Sequence, residues 1–131
     1  MGELPIRSAD DVVRVRQLVR TLAADNGLSL VDQTKLVTAA SELARNTLVH
    51  GGGGAAHAEV VKSANGRAGV KLSFTDEGPG IADIELALKD GWSTGGGLGL
   101  GLSGARRLVD EFELASEPGA GTRVVVVKWS R

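Results

Sequence analysis

Cysteine is absent from this chain, which excludes disulfides, thiolate-held metals and thiol nucleophiles together. A surplus of either charge is missing too. Fifteen Lys and Arg against 16 Asp and Glu leave a formal net charge of −1, so no global basic field collects nucleic acid. No apolar run approaches the length of a membrane span. The opening residues MGELPIRSADD contain no apolar signal-peptide core. A reducing interior, most simply the cytoplasm, is the expected compartment, with neither nucleic acid nor membrane as partner. What is present is 131 residues, 42% hydrophobic and 24% charged, which suits a single domain over 1–131 with one modest core. Glycine is the anomaly. Nineteen occur, concentrated at 51–54, 91–104 and 119–121. Glycine costs backbone entropy and packs nothing, so three separated clusters read as three parts of one site.

Glu3 to Arg7 reads as a short edge strand. Ser8-Ala9-Asp10-Asp11 fits a capping box, and Val12, Val15, Val19 and Leu22 follow at helical spacing. Asn26-Gly27 stops that helix. A second helix is predicted from near Asp32 to Gly51, burying Leu36, Ala40, Leu43, Thr47 and Leu48. Ala58–Ala64 and Gly69–Thr75 alternate around Asn65-Gly66 and read as a hairpin. Ile84–Lys89 suits a short helix, Leu102–Glu111 a longer one, and Phe112–Ser116 and Arg123–Trp129 the closing strands. Helices come mostly first and strands later, which predicts a two-layer α+β sandwich rather than a βαβ repeat.

Four constellations carry chemistry. Glu42, Asn46 and His50 lie at i, i+4 and i+8 of the second helix and share one face. A carboxylate able to accept a proton thus sits one turn from an amide oxygen able to hold a hard cation. The same spacing also describes a solvated polar stripe whose histidine meets the helix dipole. Thr75-Asp76-Glu77-Gly78-Pro79-Gly80 ends an alternating strand in an aspartate and turns on two glycines. Such an aspartate can accept a hydrogen bond from an exocyclic amine, and an ordinary turn uses the same residues. GWSTGGGLGLGLSGARR, 91–107, has seven glycines in seventeen residues. No Gly-Lys-Ser/Thr follows, so it is not a P-loop. Its G-x-G-x-x-G lacks the upstream strand that a dinucleotide fold requires. What remains is a set of glycine amides entering the next helix at its N-terminus, a phosphate cradle, behind a strap suited to closing over a ligand. The fourth, Gly119-Ala120-Gly121-Thr122, is a tight turn with a hydroxyl at its exit.

Their order is more telling than any one of them: E-L-x-x-N on a helix, D-x-G-x-G after a strand, a glycine-rich strap with G-x-G-x-G, then G-x-G-T. This order resembles the N, G1, G2 and G3 boxes of the GHKL ATPases, from about Ser41 onward. The resemblance implies a two-layer α/β sandwich with a mixed, mostly antiparallel sheet and helices on one face. It implies ATP and Mg²⁺ as cofactors and an ATP lid near residues 83–101. By position Glu42 corresponds to the general base and Asn46 to the Mg²⁺ ligand. Asp76 would bond the adenine amine, with Gly80 beneath the ring and Thr122 supporting it. Gly97, Leu98, Gly99, Leu100 and Gly101 would face the phosphates.

Within that family the chain is small. It has no room for the transducer domain of the gyrase, mismatch-repair or chaperone branches. A histidine kinase would carry its phosphoacceptor histidine upstream, and the first 40 residues contain none. ELARNTLVHGGGG, DEGPGI and ALKDGWSTGGGLGLGLSGARRLVDEFE resemble instead the small serine/threonine switch kinases of bacterial partner-switching systems. That branch implies STAS-domain proteins of the stressosome as substrates and a PP2C-type phosphatase with an N-terminal regulatory domain as the protein activated. A nucleotide-gated binding module, an anti-sigma factor or phosphatase regulator with incidental kinase activity, is the alternative. The lid departs from many relatives: Ser93-Thr94-Gly95-Gly96 carries no basic residue. Mg²⁺, backbone amides, Lys89 or Arg106 must then neutralise the γ-phosphate.

Overall fold

Ser8 starts the first helix where the sequence places it, and its Oγ accepts the amide of Asp11 at 3.4 Å. The reciprocal bond of the box goes one residue further back, because Asp11 Oδ2 accepts the amide of Arg7 at 2.9 Å. That bond, with Arg14 against Oδ1 at 2.7 Å, outweighs desolvation and holds the Asp11 carboxyl below its ordinary pKa. The computed structural model describes residues 2–78, 101–116, 119 and 121–131. Over these residues the chain runs β1 (Gly2–Ile6), α1 (Ala9–Asp25), α2 (Leu30–Val49), β2 (Gly54–Lys62) and β3 (Ala68–Asp76). It continues through α3 (Gly101–Leu108), β4 (Glu111–Ser116) and β5 (Thr122–Trp129).

The strands form one sheet in the order β1-β2-β3-β5-β4. Every described pairing is antiparallel. Alternation decides which face is covered. Ile6, Ala56, Ala58, Leu72, Phe74, Val124 and Val126 point one way and are buried beneath the helices. Val15, Val19 and Ala23 of α1, Leu36, Ala40 and Leu43 of α2, and Leu102 and Ala105 of α3 complete that core. The α1–α2 and α2–α3 contacts make the helical layer. This is the two-layer α+β sandwich expected from the sequence.

Several boundaries differ from the sequence reading, and for three of them the structure gives the reason. Helix α2 begins at Leu30 rather than near Asp32, because Ser29 Oγ accepts the amide of Asp32 at 3.1 Å and caps a turn earlier. Strand β2 begins at Gly54, inside the glycine run, because Gly54 pairs with both Ile6 and Asp76. Helix α3 ends at Leu108 rather than Glu111. Strand β5 takes over there: Glu111 pairs with Val127, and the amide of Asp110 donates to the Val127 carbonyl at 2.9 Å. The helix expected at Ile84–Lys89 lies outside the described residues. Among the described residues, no helix is long and apolar enough to cross a membrane.

Candidate nucleotide-binding site

Asp76 is the last residue of β3 and lies opposite Thr122, the first of β5. Its Oδ1 accepts the amide of Gly78 at 2.9 Å, closing a turn on itself. The second carboxylate oxygen is left as an acceptor in a half-buried position. Three glycines gather here, Gly51 and Gly121 against this aspartate and Gly78 against Gly51, and for each the reason is steric. A Cβ on Gly51 would lie 2.4 Å from Asp76 Cγ, and one on Gly121 would lie 2.1 Å from the Asp76 carbonyl oxygen. A Cβ on Gly78 would lie 2.8 Å from Gly51 Cα. Gly121 also has φ 84°, which L side chains rarely adopt. The glycine run after α2 and the turn before β5 therefore converge on Asp76, and two of the three sequence clusters are parts of one site.

Thr122 Oγ1 lies 2.9 Å from Ser116 Oγ, which itself donates to the Gly121 carbonyl at 3.0 Å. With the Ser116 proton used there, Thr122 is the donor between the two hydroxyls, and its oxygen keeps its lone pairs as acceptors at the position opposite Asp76. Sequence reasoning missed Ser116. The signal was weak, since a serine closing an edge strand is ordinary.

Asn46 and Glu42 lie on α2. The Asn46 carbonyl accepts the amides of His50 at 2.9 Å and Gly51 at 3.2 Å, so the helix end that seats Gly51 against Asp76 hangs from Asn46. Glu42 lies one turn earlier, about 6 Å along the axis. Both side chains are half-buried at the border of the stripe covered by Leu43 and Thr47, while His50 is the exposed C-cap. An open cleft of ≈ 1060 Å³ surrounds the strand ends and is lined by Asp76, Thr122, the Gly51–Gly54 main chain, Arg7 and Arg123. Neither Glu42 nor Asn46 is among its described lining residues. Gly101 is the first residue of α3, and Arg106 is exposed on that helix. Gly80, Gly97, Leu98, Gly99, Leu100, Lys89 and the rest of the expected lid lie outside the described residues.

Comparison with known proteins bears on this arrangement. The family model described as histidine kinase-, DNA gyrase B- and HSP90-like ATPase matches residues 31–130. The chain is 47% identical over 121 residues to the serine/threonine-protein kinase RsbT of Bacillus subtilis, covering 92% of this chain and 90% of that protein. It is 34% identical over 101 residues to the anti-sigma F factor of Halalkalibacterium halodurans, covering 74% and 69%. Among solved structures, the RsbU and RsbW domains of a Mycobacterium tuberculosis protein superpose with TM-score 0.65 at 23% identity. All of this chain is covered there, and 33% of that longer one. A histidine kinase domain from Erythrobacter litoralis superposes with TM-score 0.53 at 17% identity, covering 95% and 60%. Both superpositions speak for the fold alone. From the matched boxes and the mutual coverage with RsbT, the chain belongs to the histidine kinase-, DNA gyrase B- and HSP90-like ATPase family, in its branch of small serine/threonine-protein kinases.

Proposed function

We propose that the chain is the kinase of a partner-switching pathway: it phosphorylates serine or threonine on STAS-domain proteins of a stressosome and then activates a PP2C-type phosphatase. The observation that carries this reading is the 47% identity to RsbT over 92% of the chain. The site chemistry supports it. The second Asp76 oxygen is the acceptor for the adenine amine, with Thr122 beside it and Gly80 beneath the ring. The amides of Gly97–Gly101, ahead of α3, would donate hydrogen bonds to the phosphate oxygens.

Mg²⁺ fits Asn46, whose amide oxygen is a hard donor. Mg²⁺ bound with a nucleotide takes one or two protein groups and completes its shell with phosphate and water. When bound it would neutralise charge on the transferring phosphoryl group. Glu42 accepts the proton of the incoming hydroxyl, and the remaining work is positioning. The cytoplasm is the compartment this activity requires.

Incubating the chain with Mg-ATP and candidate STAS-domain proteins tests the reading. Phosphoserine or phosphothreonine on the STAS protein is expected. A protein that binds ATP and every partner yet transfers nothing is instead the nucleotide-gated module. Asp76→Asn is expected to weaken ATP binding by about 1.5–3 kcal/mol, the value of a charge-assisted hydrogen bond, with the fold retained. Calorimetric titration giving unchanged affinity would remove Asp76 from the adenine role. Mg-ATP is further expected to slow hydrogen exchange of amides 91–101 and to change Trp92 fluorescence in a Trp129→Phe background. Flat signals from both, with ATP bound, would remove the lid role from that stretch.

A further inference from the structure

Two arginines at one end of the open sheet face stand without a carboxylate partner among the described residues. We propose that Arg7 and Arg123 form a docking site for a short, extended, acidic segment of a partner protein. Pro5, Ala55, Thr75, Arg123 and Ala115 make one row across all five strands. By alternation that row faces away from the helices, since its neighbours Ile6, Phe74 and Val124 are buried in the core. Arg7 follows at the end of β1, and both arginines are exposed and line the cleft that also reaches Asp76.

Among the described residues neither arginine makes an ion pair, although Glu77 lines the same cleft. Asp11 gives one oxygen to the Arg7 amide and the other to Arg14. The cross-strand partners of Arg123 are Thr75 and Ala115. Lys71, on the same open face, shows the contrast, because Glu59 lies 3.9 Å from its ammonium. A guanidinium binds a carboxylate through two parallel hydrogen bonds. From Pro5 to Arg123 the row takes three strand spacings, about 14 Å at ~4.8 Å each, which four or five extended residues span. Ala55 and Thr75 leave a shallow floor between the two cations on which a backbone can lie.

The occupant is a protein segment rather than a nucleic acid. Glu3, Glu59, Glu111 and Glu113 share the open face in the adjoining rows, and a continuous polyanion would meet them. A nucleic acid needs a track of cations along its backbone, and the chain as a whole has net charge −1. Glu77 lines the same cleft toward Asp76, so the partner's carboxylates are held to the arginine side and away from the adenine position. The site depends on the kinase reading only in taking its occupant to be a partner protein.

The test uses the whole chain without nucleotide, so that it reads docking whether or not phosphoryl transfer occurs. ¹⁵N chemical shifts are followed during titration with the peptide Glu-Ser-Glu-Ser-Glu-Ser-Glu and with the same peptide carrying Lys for Glu. Shifts centred on Ala55, Thr75 and Arg123 with the acidic peptide alone, weakening as salt is added, are expected. The double variant Arg7→Glu/Arg123→Glu should lose at least about tenfold in peptide affinity, the worth of one charged hydrogen bond. Its ATP affinity is measured alongside, because both arginines line the cleft that reaches Asp76. If the double variant fails to fold, Arg7→Gln and Arg123→Gln are titrated singly, and each should lose part of the affinity. Equal shifts with both peptides, or no loss on substitution, overturn the proposal. So does a fall in ATP affinity in the folded variants, which would give the arginines to the nucleotide. Tighter binding of a short oligouridylate, lost in the same variants, would make the site one for nucleic acid and overturn it equally.

Discussion

Glu42→Ala is expected to lower phosphoryl transfer about 10²- to 10⁴-fold, the usual contribution of a positioned general base, while ATP affinity stays nearly unchanged. Asn46→Ala should behave differently. Its amide oxygen is a neutral hard donor one turn from Glu42, so its loss is expected to weaken Mg²⁺-dependent ATP binding itself. The two residues lie one turn apart on one helix, both half-buried, so a general loosening of α2 would lower both properties in both variants alike. Measuring ATP affinity with and without Mg²⁺, beside single-turnover transfer to the STAS acceptor, separates these outcomes. Identical defects in the two variants would contradict the division of labour. Asn46→Asp is a further control. It retains an oxygen donor but adds a charge, and should keep more of the Mg²⁺ dependence than alanine does.

How far the sequence revealed this arrangement depended on whether the determining contact was local. Ser8 and the Asn65-Gly66 turn are read within four residues, and the cap and hairpin stand where expected. Helix α3 was drawn too long because nothing local in Val109-Asp110-Glu111 opposes a helix. The pairing of Glu111 with Val127, sixteen positions on, decides it. The glycine clusters at 51–54 and 119–121 were recognisable as belonging together from composition. The reason was not: it is the steric demand of one aspartate between them. That neither Arg7 nor Arg123 pairs with a described carboxylate was invisible for the same kind of reason. Nothing local marks Arg7, and only the hydrogen bonds of Asp11 show that this carboxylate serves the Arg7 amide and Arg14 instead.

Lys128→Met is expected to destabilise the chain by about 3–5 kcal/mol, because removing one member of a buried ion pair leaves the other charge without compensation. Lys128 follows Val124 and Val126 on the covered side of β5 and is only 4% exposed. Its ammonium lies 3.6 Å from Asp32 at the start of α2 and 3.6 Å from Asp110 ahead of β4. Asp32 retains Arg131 at 3.5 Å, but that arginine is largely exposed and screened by solvent. The network therefore ties the first turn of α2, the helix that carries Glu42 and Asn46, to the far end of the sheet. Urea unfolding of Lys128→Met, Asp32→Asn and the pair together gives the coupling. The double variant should recover part of the loss, since Asp32 then carries no charge and Asp110 keeps Arg131. Stability of Lys128→Met equal to that of the unaltered chain would show that the network contributes nothing. Acid supplies a second reading of the same cluster. Burial raises the Asp110 pKa, but the amide of Trp129 and the charges of Lys128 and Arg131 outweigh it, and the carboxyl lies below its ordinary 3.8. A carboxyl depressed in the folded state contributes stability at neutral pH, and that stability is lost as pH falls through the folded value. Urea midpoints measured from neutral pH downward should therefore drop below about pH 4, and drop less steeply in Asp110→Asn. An identical acid slope in that variant would assign the loss to other carboxylates.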